Sequence, residues 1–312
     1  MIRIGAVTID TSHPLAFGGV LEKDPRAKYV GVYHDSFRSD DEVEGFVKRF
    51  GLEKRCQTIE ELADMCDIGF IHSCNWDKHL AYAMPFVKRG KPVFIDKPLV
   101  GNLEDCRKIS ELVRKGAVIL GASSVRYAEE IVKFIDTPVA ERGEIISIFG
   151  TSGVDEFNYG IHVVEGIGAL AGHAAKSVQF LGRGGKSGMN SESFYIDFGN
   201  GTNAVYNTFM GCWQPFVFTV MTTKTTCNFV IDTSKIYRAL LDEIICFMEG
   251  KPNRMAAMPA LLDSVKIMLA GRISRAQNGL AINLSDIPDH DEGYDGQAFF
   301  NEYSAAAKKM YC

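Results

Sequence analysis

Five short apolar runs, "IRIGAVTI", "YVGVYHD", "IGFIHSC", "PVFID" and "AVILGAS", recur through the chain up to Ser124. The stretches between them have helical spacing: Pro14 to Lys23, then residues 40–50, 58–65, 77–89 and 102–115. Runs this short and this apolar must be covered on both faces, and helix-length segments between consecutive runs supply the cover. The pattern therefore predicts an α/β, Rossmann-like parallel sheet over residues 1–122, with any ligand at the carboxyl ends of its strands.

After Ser124 the rhythm changes. A helix over 127–135 leads to the strand "GEIISIFGTSG" and a helix from about Tyr159 to Gly172. The runs "SFYIDFGNG", "TNAVYNTFMG", "FVFTVMTT" and "TCNFVID" then follow one another with Gly, Asn and Pro breaks, which predicts a mostly antiparallel, open-faced sheet in an α+β domain over 123–284. Helices from Ile236 to Gly250 and Met258 to Asn278 close this body. The polar stretch "SDIPDHDEGYDG" is expected to be a linker, and the region 285–312 to end as a docked helix or a loose tail.

Composition excludes several classes. The 312 residues carry a net charge of −5 with no dense Lys/Arg run, which argues against nucleic acid. The eight cysteines (56, 66, 74, 106, 212, 227, 246 and 312) lack CxxC spacing, as expected of reduced thiols in a cytoplasmic protein. No signal peptide is read at the start, and the histidines show no metal-ligand spacing, so no metal is assigned. The uncharged run Phe198 to Thr223 holds too many turn-forming and polar residues for a membrane span and is expected to be two strands joined by a turn.

Two stretches could carry chemistry. In "GKPVFIDKPLVG", Asp96, Lys97 and Pro98 follow a strand end, where Pro98 forces Lys97 into an extended conformation. A lysine there can polarise a substrate oxygen, although a surface lysine in a strand–helix turn fits the tripeptide equally simply. In "EFNYGIHVVEGIGALAG", Asn158, His162 and Glu165 fall at i, i+4 and i+7 of a helix and so are expected to share one stripe. His162 could serve as an acid–base group, or be a structural histidine bonded to a carbonyl.

The order of these features, with "SCNWDKH" after the middle strand and "RALLDEIICFMEGKPN" and "SRAQNG" further on, resembles the Gfo/Idh/MocA oxidoreductase family over nearly the whole chain. The resemblance implies Lys97 beside a nicotinamide and a substrate hydroxyl, and His162 as proton acceptor from a substrate alcohol. It implies Ser73, Asn75 and His79 bordering the cofactor, Arg126 facing substrate, and a homodimer or homotetramer joined through the open sheet; Tyr159 is a candidate for lining the substrate pocket or an ordinary core or interface aromatic. Asp96 stands where the family has Glu. Asn158 stands where it has Asp, and an amide can orient a hydroxyl but not act as a base.

The third departure lies in "RIGAVTIDTSHPLAF", where Thr8, Asp10, Thr11, Ser12 and His13 replace the glycine fingerprint that lets a backbone approach a pyrophosphate. Helix capping and phosphate contact both account for "DTSHP". Asp35, after the second strand, suits a ribose and favours NAD over NADP. The expected function is NAD(P)-dependent oxidation of a secondary alcohol on a sugar or polyol. Two rivals stand beside it: a non-catalytic sugar-binding or regulatory protein, and an NAD-dependent lyase or glycosidase working through transient oxidation.

Overall fold

A computed structural model describes residues 1–121 and 123–307. Cys312 and the expected boundary residue Ala122 lie outside the described residues. Strands β1 (Ile2–Val7), β2 (Ala27–Tyr33), β3 (Lys54–Cys56), β4 (Ile68–Ile71), β5 (Val93–Ile95) and β6 (Ile119–Gly121) form a parallel sheet in the order β3-β2-β1-β4-β5-β6. The helices between them are α1 (His13–Leu21), α2 (Asp40–Phe50), α3 (Ile59–Met65), α4 (His79–Val87) and α5 (Leu103–Arg114). The order reverses between β1 and β4, which places the ligand crevice of such a sheet above those two strand ends. β3 escaped the sequence reading because it is a three-residue, partly charged edge strand with no alternation.

Helices α6 (Glu129–Asp136) and α7 (Val139–Arg142) lead into a second sheet. Its strands are β7 (Ile145–Ser152), β8 (Ser177–Lys186), β9 (Met189–Asp197), β10 (Asn203–Met210), β11 (Val217–Thr222), β12 (Thr226–Val230) and β13 (Ile282–Asn283). The order is β12-β11-β7-β10-β9-β8-β13, antiparallel except that β7 and β10 run parallel. The uncharged run from Phe198 resolves into β10 and β11, two strands and a turn. β8 went unread because its sequence, "SVQFLGRGGK", carries three glycines and breaks register between Phe180 and Gly182, so no two-residue period survives.

One face of this sheet packs on α8 (Gly160–Ala171) and α10 (Met258–Ala276), while α9 (Ile236–Met248) packs against α1 of the first sheet. α8 is buried almost all round, in keeping with its apolar sequence. Among the described residues no helix is long and apolar enough to cross a membrane.

The expected linker at 285–296 is instead docked. Tyr294 stacks on Phe157 with ring centroids 4.0 Å apart, and its hydroxyl donates to Glu156 Oε1 at 2.6 Å. Polar letters concealed one anchoring aromatic. The chain continues into α11 (Gly296–Ala306), capped by Asp295, whose side chain accepts from the Ala298 N–H at 2.7 Å.

Candidate functional site

Where β5 ends, Asp96 and Lys97 turn toward the second sheet, and the Lys97–Pro98 peptide is cis. The Lys97 ammonium donates to Asn158 Oδ1 at 2.8 Å and to the Asn158 carbonyl at 3.1 Å, and lies 5.4 Å from the Tyr159 ring centroid. Asn158 is not on the helical stripe read from sequence: α8 begins at Gly160, and Asn158 sits in the preceding turn. A turn there is dictated by Asp155, whose carboxylate accepts from the Tyr159 N–H at 3.0 Å and from Asn158 Nδ2 at 3.4 Å. Sequence reasoning missed Asp155, though an acidic residue three positions before the Asn was its signal. It restores near Lys97 the negative charge that Asn158 lacks.

His162 stands in the first turn of α8, 5% exposed, with its ring 5.9 Å from that of Tyr159. Its Nδ1 lies 2.5 Å from the hydroxyl of Ser123, which also accepts from the Val125 N–H at 3.1 Å. Ser123 follows β6 and was likewise missed, a serine in a polar triplet being too common to mark. Burial and the neighbouring Lys97 charge hold the His162 imidazole well below its usual range, so it is neutral. Burial also lowers the Lys97 pKa, with Asp96, Asp155 and Glu165 opposing. One turn along α8, Glu165 is 3% exposed and its Oε2 has no hydrogen-bond partner; burial lifts its pKa to about 7, against Arg126 and the Ser123 N–H. Arg126 Nη1 donates to the Glu165 carbonyl at 3.1 Å, which places its guanidinium against α8. Lys97 and His162 therefore both lie beside the Tyr159 ring, 5.4 and 5.9 Å from its centroid, with Asn158 and Asp155 next to the lysine and Ser123 next to the histidine.

Toward β1 the polar residues turn inward. Asp96 Oδ2 joins His13 Nδ1 at 2.7 Å and His72 Nδ1 at 3.2 Å, and His72 Nε2 lies 3.1 Å from the Tyr29 hydroxyl. Burial alone would raise the Asp96 pKa; His13 and His72 overcome it and hold the carboxyl well below the carboxylate range. Asp10 is fully buried and its Oδ2 accepts from the Cys74 N–H at 3.0 Å and from the Ser73 hydroxyl at 3.4 Å. Arg38 donates to the Asp10 carbonyl through Nη2 at 2.7 Å and pairs with Glu42 at 3.1 Å. At the start of α1 the Ser12 side chain makes no cap bond, and Thr11 Oγ1 accepts from the His13 N–H at 3.2 Å.

Thr8 adopts φ +61, the left-handed conformation a glycine would supply at this turn. The bend of the fingerprint is thus kept without its residue. Asn75 is buried and its Oδ1 accepts from the Asp77 N–H at 3.1 Å. His79 lies apart from the crevice: it is fully buried, its ring nitrogens 2.9 Å from the Ser73 carbonyl and 3.1 Å from the Leu99 carbonyl. Asp35 remains exposed and accepts from the Tyr82 hydroxyl at 2.6 Å. Buried polar atoms without partners, Thr8 Oγ1, Asp10 Oδ1, His34 Nε2 and Ser36 Oγ, gather on the turns after β1 and β2. That is the side of the crevice a dinucleotide's ribose and pyrophosphate would occupy, and such orphaned atoms fit a polar ligand.

Residues 4–124 match the family model GFO_IDH_MocA, an oxidoreductase family with an NAD-binding Rossmann fold. No curated protein matches the chain in sequence. Among solved structures, the scyllo-inositol dehydrogenase of Lactobacillus casei with bound NAD(H) and scyllo-inositol is similar at a TM-score of 0.76 and 15% identity, covering 91% of this chain and 99% of that one. The myo-inositol dehydrogenase of the same organism, in complex with NAD(H) and myo-inositol, gives 0.74 and 14%, covering 91% and 96%. GenD2 from gentamicin A biosynthesis, in complex with NAD, gives 0.76 and 15%, covering 90% and 96%. At these identities the likeness is one of fold, and it extends over both sheets.

Proposed function

We propose that the chain, whose residues 4–124 match the Gfo/Idh/MocA oxidoreductase family with its NAD-binding Rossmann fold, oxidises a secondary alcohol of a polyol or sugar with NAD. The observation that carries this reading is that the Lys97 ammonium, from the end of β5, and the neutral His162 imidazole, from α8 of the second domain, lie beside the same Tyr159 ring. Asp35 would take the adenosine ribose, Thr11 and Ser12 at the start of α1 the pyrophosphate, and Asn75 with Lys97 the nicotinamide end. The exposed Asp35 carboxylate favours NAD over its 2′-phosphorylated form. The cofactor, when bound, supplies the hydride acceptor.

The remaining chemistry is the chain's own. Lys97, fixed by Asn158, donates a hydrogen bond to the substrate oxygen and stabilises negative charge growing on it. With Nδ1 engaged by Ser123, His162 has Nε2 left for substrate. As a base it needs Nδ1–H donating to the Ser123 oxygen; uptake of the alcohol proton at Nε2 gives an imidazolium that keeps this bond, and in the reverse reaction that imidazolium returns its Nε2 proton to the carbonyl oxygen as hydride arrives at carbon. A hydroxyl is both donor and acceptor, so Ser123 supports either tautomer. Asn158, Asp155 and Tyr159 beside Lys97 are groups suited to several hydroxyls, which supports a polyol over a simple alcohol. The inositol dehydrogenases of similar fold point the same way.

The reading includes self-association through the open face of the second sheet. There Tyr195, Val205, Phe149 and Thr219 form one lateral row across β9, β10, β7 and β11. Seven free cysteines among the described residues favour a reducing, cytoplasmic setting.

The test is NADH titration by fluorescence and a screen of inositols and sugar alcohols for NAD reduction, with Lys97→Ala and His162→Ala as controls. Turnover lost in both variants, with folding intact, is the expected result. Turnover that survives both substitutions sinks the assignment.

A further inference from the structure

α11 lies across the crevice in which the dinucleotide would sit. Its first turn is fixed to the loop after β4: Asn75 Nδ2 donates to Gln297 Oε1 at 2.9 Å, and the Gln297 N–H donates to Asp77 Oδ2 at 3.1 Å. Just before it, Trp76 Nε1 donates to the Tyr294 carbonyl at 2.7 Å. Two turns on, Phe300 and Tyr303 rest on Phe37 in the loop after β2, with ring centroids 5.7 and 6.2 Å away. From Gln297 to Tyr303 a helix advances about 9 Å. β2 and β4 flank β1, and two strand spacings are about 9.6 Å. The helix therefore spans the end of β1. Burial lifts the Tyr303 phenol to about 12, and Cys74, Arg38 and Asp10, all beneath the helix, act on it as well. Thr8 and Asp10 are fully shielded from solvent.

The two ends of α11 are held differently. At the near end glycines allow close approach: a Cβ on Gly296 would stand 2.7 Å from Asn75 Oδ1, and one on Gly293 would stand 2.2 Å from the Gly101 carbonyl. The far end is held by ring contacts at Phe37, and most of its other side chains face solvent.

We propose that α11 is a displaceable occupant of the dinucleotide crevice, pivoting on its glycine-packed first turn so that cofactor entry and release of Phe300 and Tyr303 from Phe37 are one equilibrium. The inference rests on the NAD-binding reading above. Apparent affinity is then the intrinsic affinity reduced by the fraction of molecules with α11 lifted.

The experiment uses the full chain, wild type and Phe300→Ala/Tyr303→Ala, with NADH as probe, followed by fluorescence titration and amide hydrogen exchange. Expected are faster exchange over 299–306 in the variant without ligand, and NADH binding about tenfold tighter than wild type. In the wild type, NADH should speed exchange over 299–306 while slowing it over 8–21. Weaker binding by the variant, or slower exchange of α11 on adding NADH, overturns the proposal in favour of a wall that closes on the cofactor and leaves the oxidoreductase reading standing. A variant whose α11 exchanges freely yet binds no NADH overturns that reading and the proposal with it.

Discussion

The Lys97 ammonium lies 2.8 Å from the side-chain oxygen of Asn158, so the lysine is positioned by a neutral amide, with the balancing charge coming from Asp96 beside it in sequence and then from Asp155. The arrangement fixes direction without adding charge. Asn158→Asp should raise the pKa of Lys97, because an adjacent anion favours the ammonium. Through the same charge it should raise that of His162. The group that must be neutral to accept a proton would then become so at higher pH. The acidic limb of kcat/KM for alcohol oxidation should move upward by about one pH unit. An unmoved limb would mean that His162 is not the base.

Ser123 holds the ring on which that base depends, 2.5 Å from Nδ1. Ser123→Ala leaves a buried imidazole nitrogen without a partner and a Val125 N–H without its acceptor, at a cost of roughly 1–3 kcal/mol of stability. A purely structural role would stop there. A positioning role predicts in addition a fall of about tenfold or more in kcat with little change in KM, and recovery in Ser123→Thr, which keeps the hydroxyl. Equal losses in the alanine and threonine variants would remove Ser123 from the proton path.

Much of the fold and part of this site were legible in the sequence, for different reasons. Strands buried on both faces read as apolar runs, so all of the parallel sheet except β3 could be drawn from the letters. Lys97 and His162 could be named through the family resemblance, because locally a strand-end lysine before proline also fits a surface turn and a lone histidine also fits a structural role. Asp155 and Ser123 could not, since their importance lies in contacts between separate segments. Residues 123 and 162 are far apart in sequence and meet only after β6 and α8 are packed. The same holds for α11, whose composition gives no hint that it crosses β1. Its position follows from Gln297 and Phe300 reaching loops more than two hundred residues earlier.

Glu165 gives the protein a pH dependence of the less common sign. Its folded pKa is raised to about 7 by burial, against an ordinary value of 4.5. Between those two values the native state holds a proton that the unfolded chain has released, so stability falls as pH rises through this window. The loss should approach roughly 3 kcal/mol by pH 8. Glu165→Gln cannot ionise and should show a flatter profile, becoming more stable than the wild type above neutrality. Urea midpoints of both proteins at pH 5 and pH 8 provide the check, and parallel shifts in the two would locate the titration elsewhere.

Thr8 concentrates the conflict between this turn and the fingerprint it replaces. A β-branched residue at φ +61 is strained by about 1–2 kcal/mol, and its buried hydroxyl has no partner, a further cost on the order of 1 kcal/mol. Against these stand about 1 kcal/mol of apolar burial from its methyl group and a similar entropy penalty for glycine in the unfolded chain. Thr8→Gly should therefore be neutral to mildly stabilising, whereas an ordinary core threonine replaced by glycine loses stability. The backbone bond from the Thr8 N–H to the Tyr33 carbonyl, 2.8 Å, survives the change and keeps the turn in register. The substitution also clears side-chain volume where a pyrophosphate would approach the backbone, so NADH should bind several-fold tighter with no loss in urea midpoint. A variant that is destabilised by several kcal/mol would show that the threonine side chain, and not the bend it adopts, is what the turn requires.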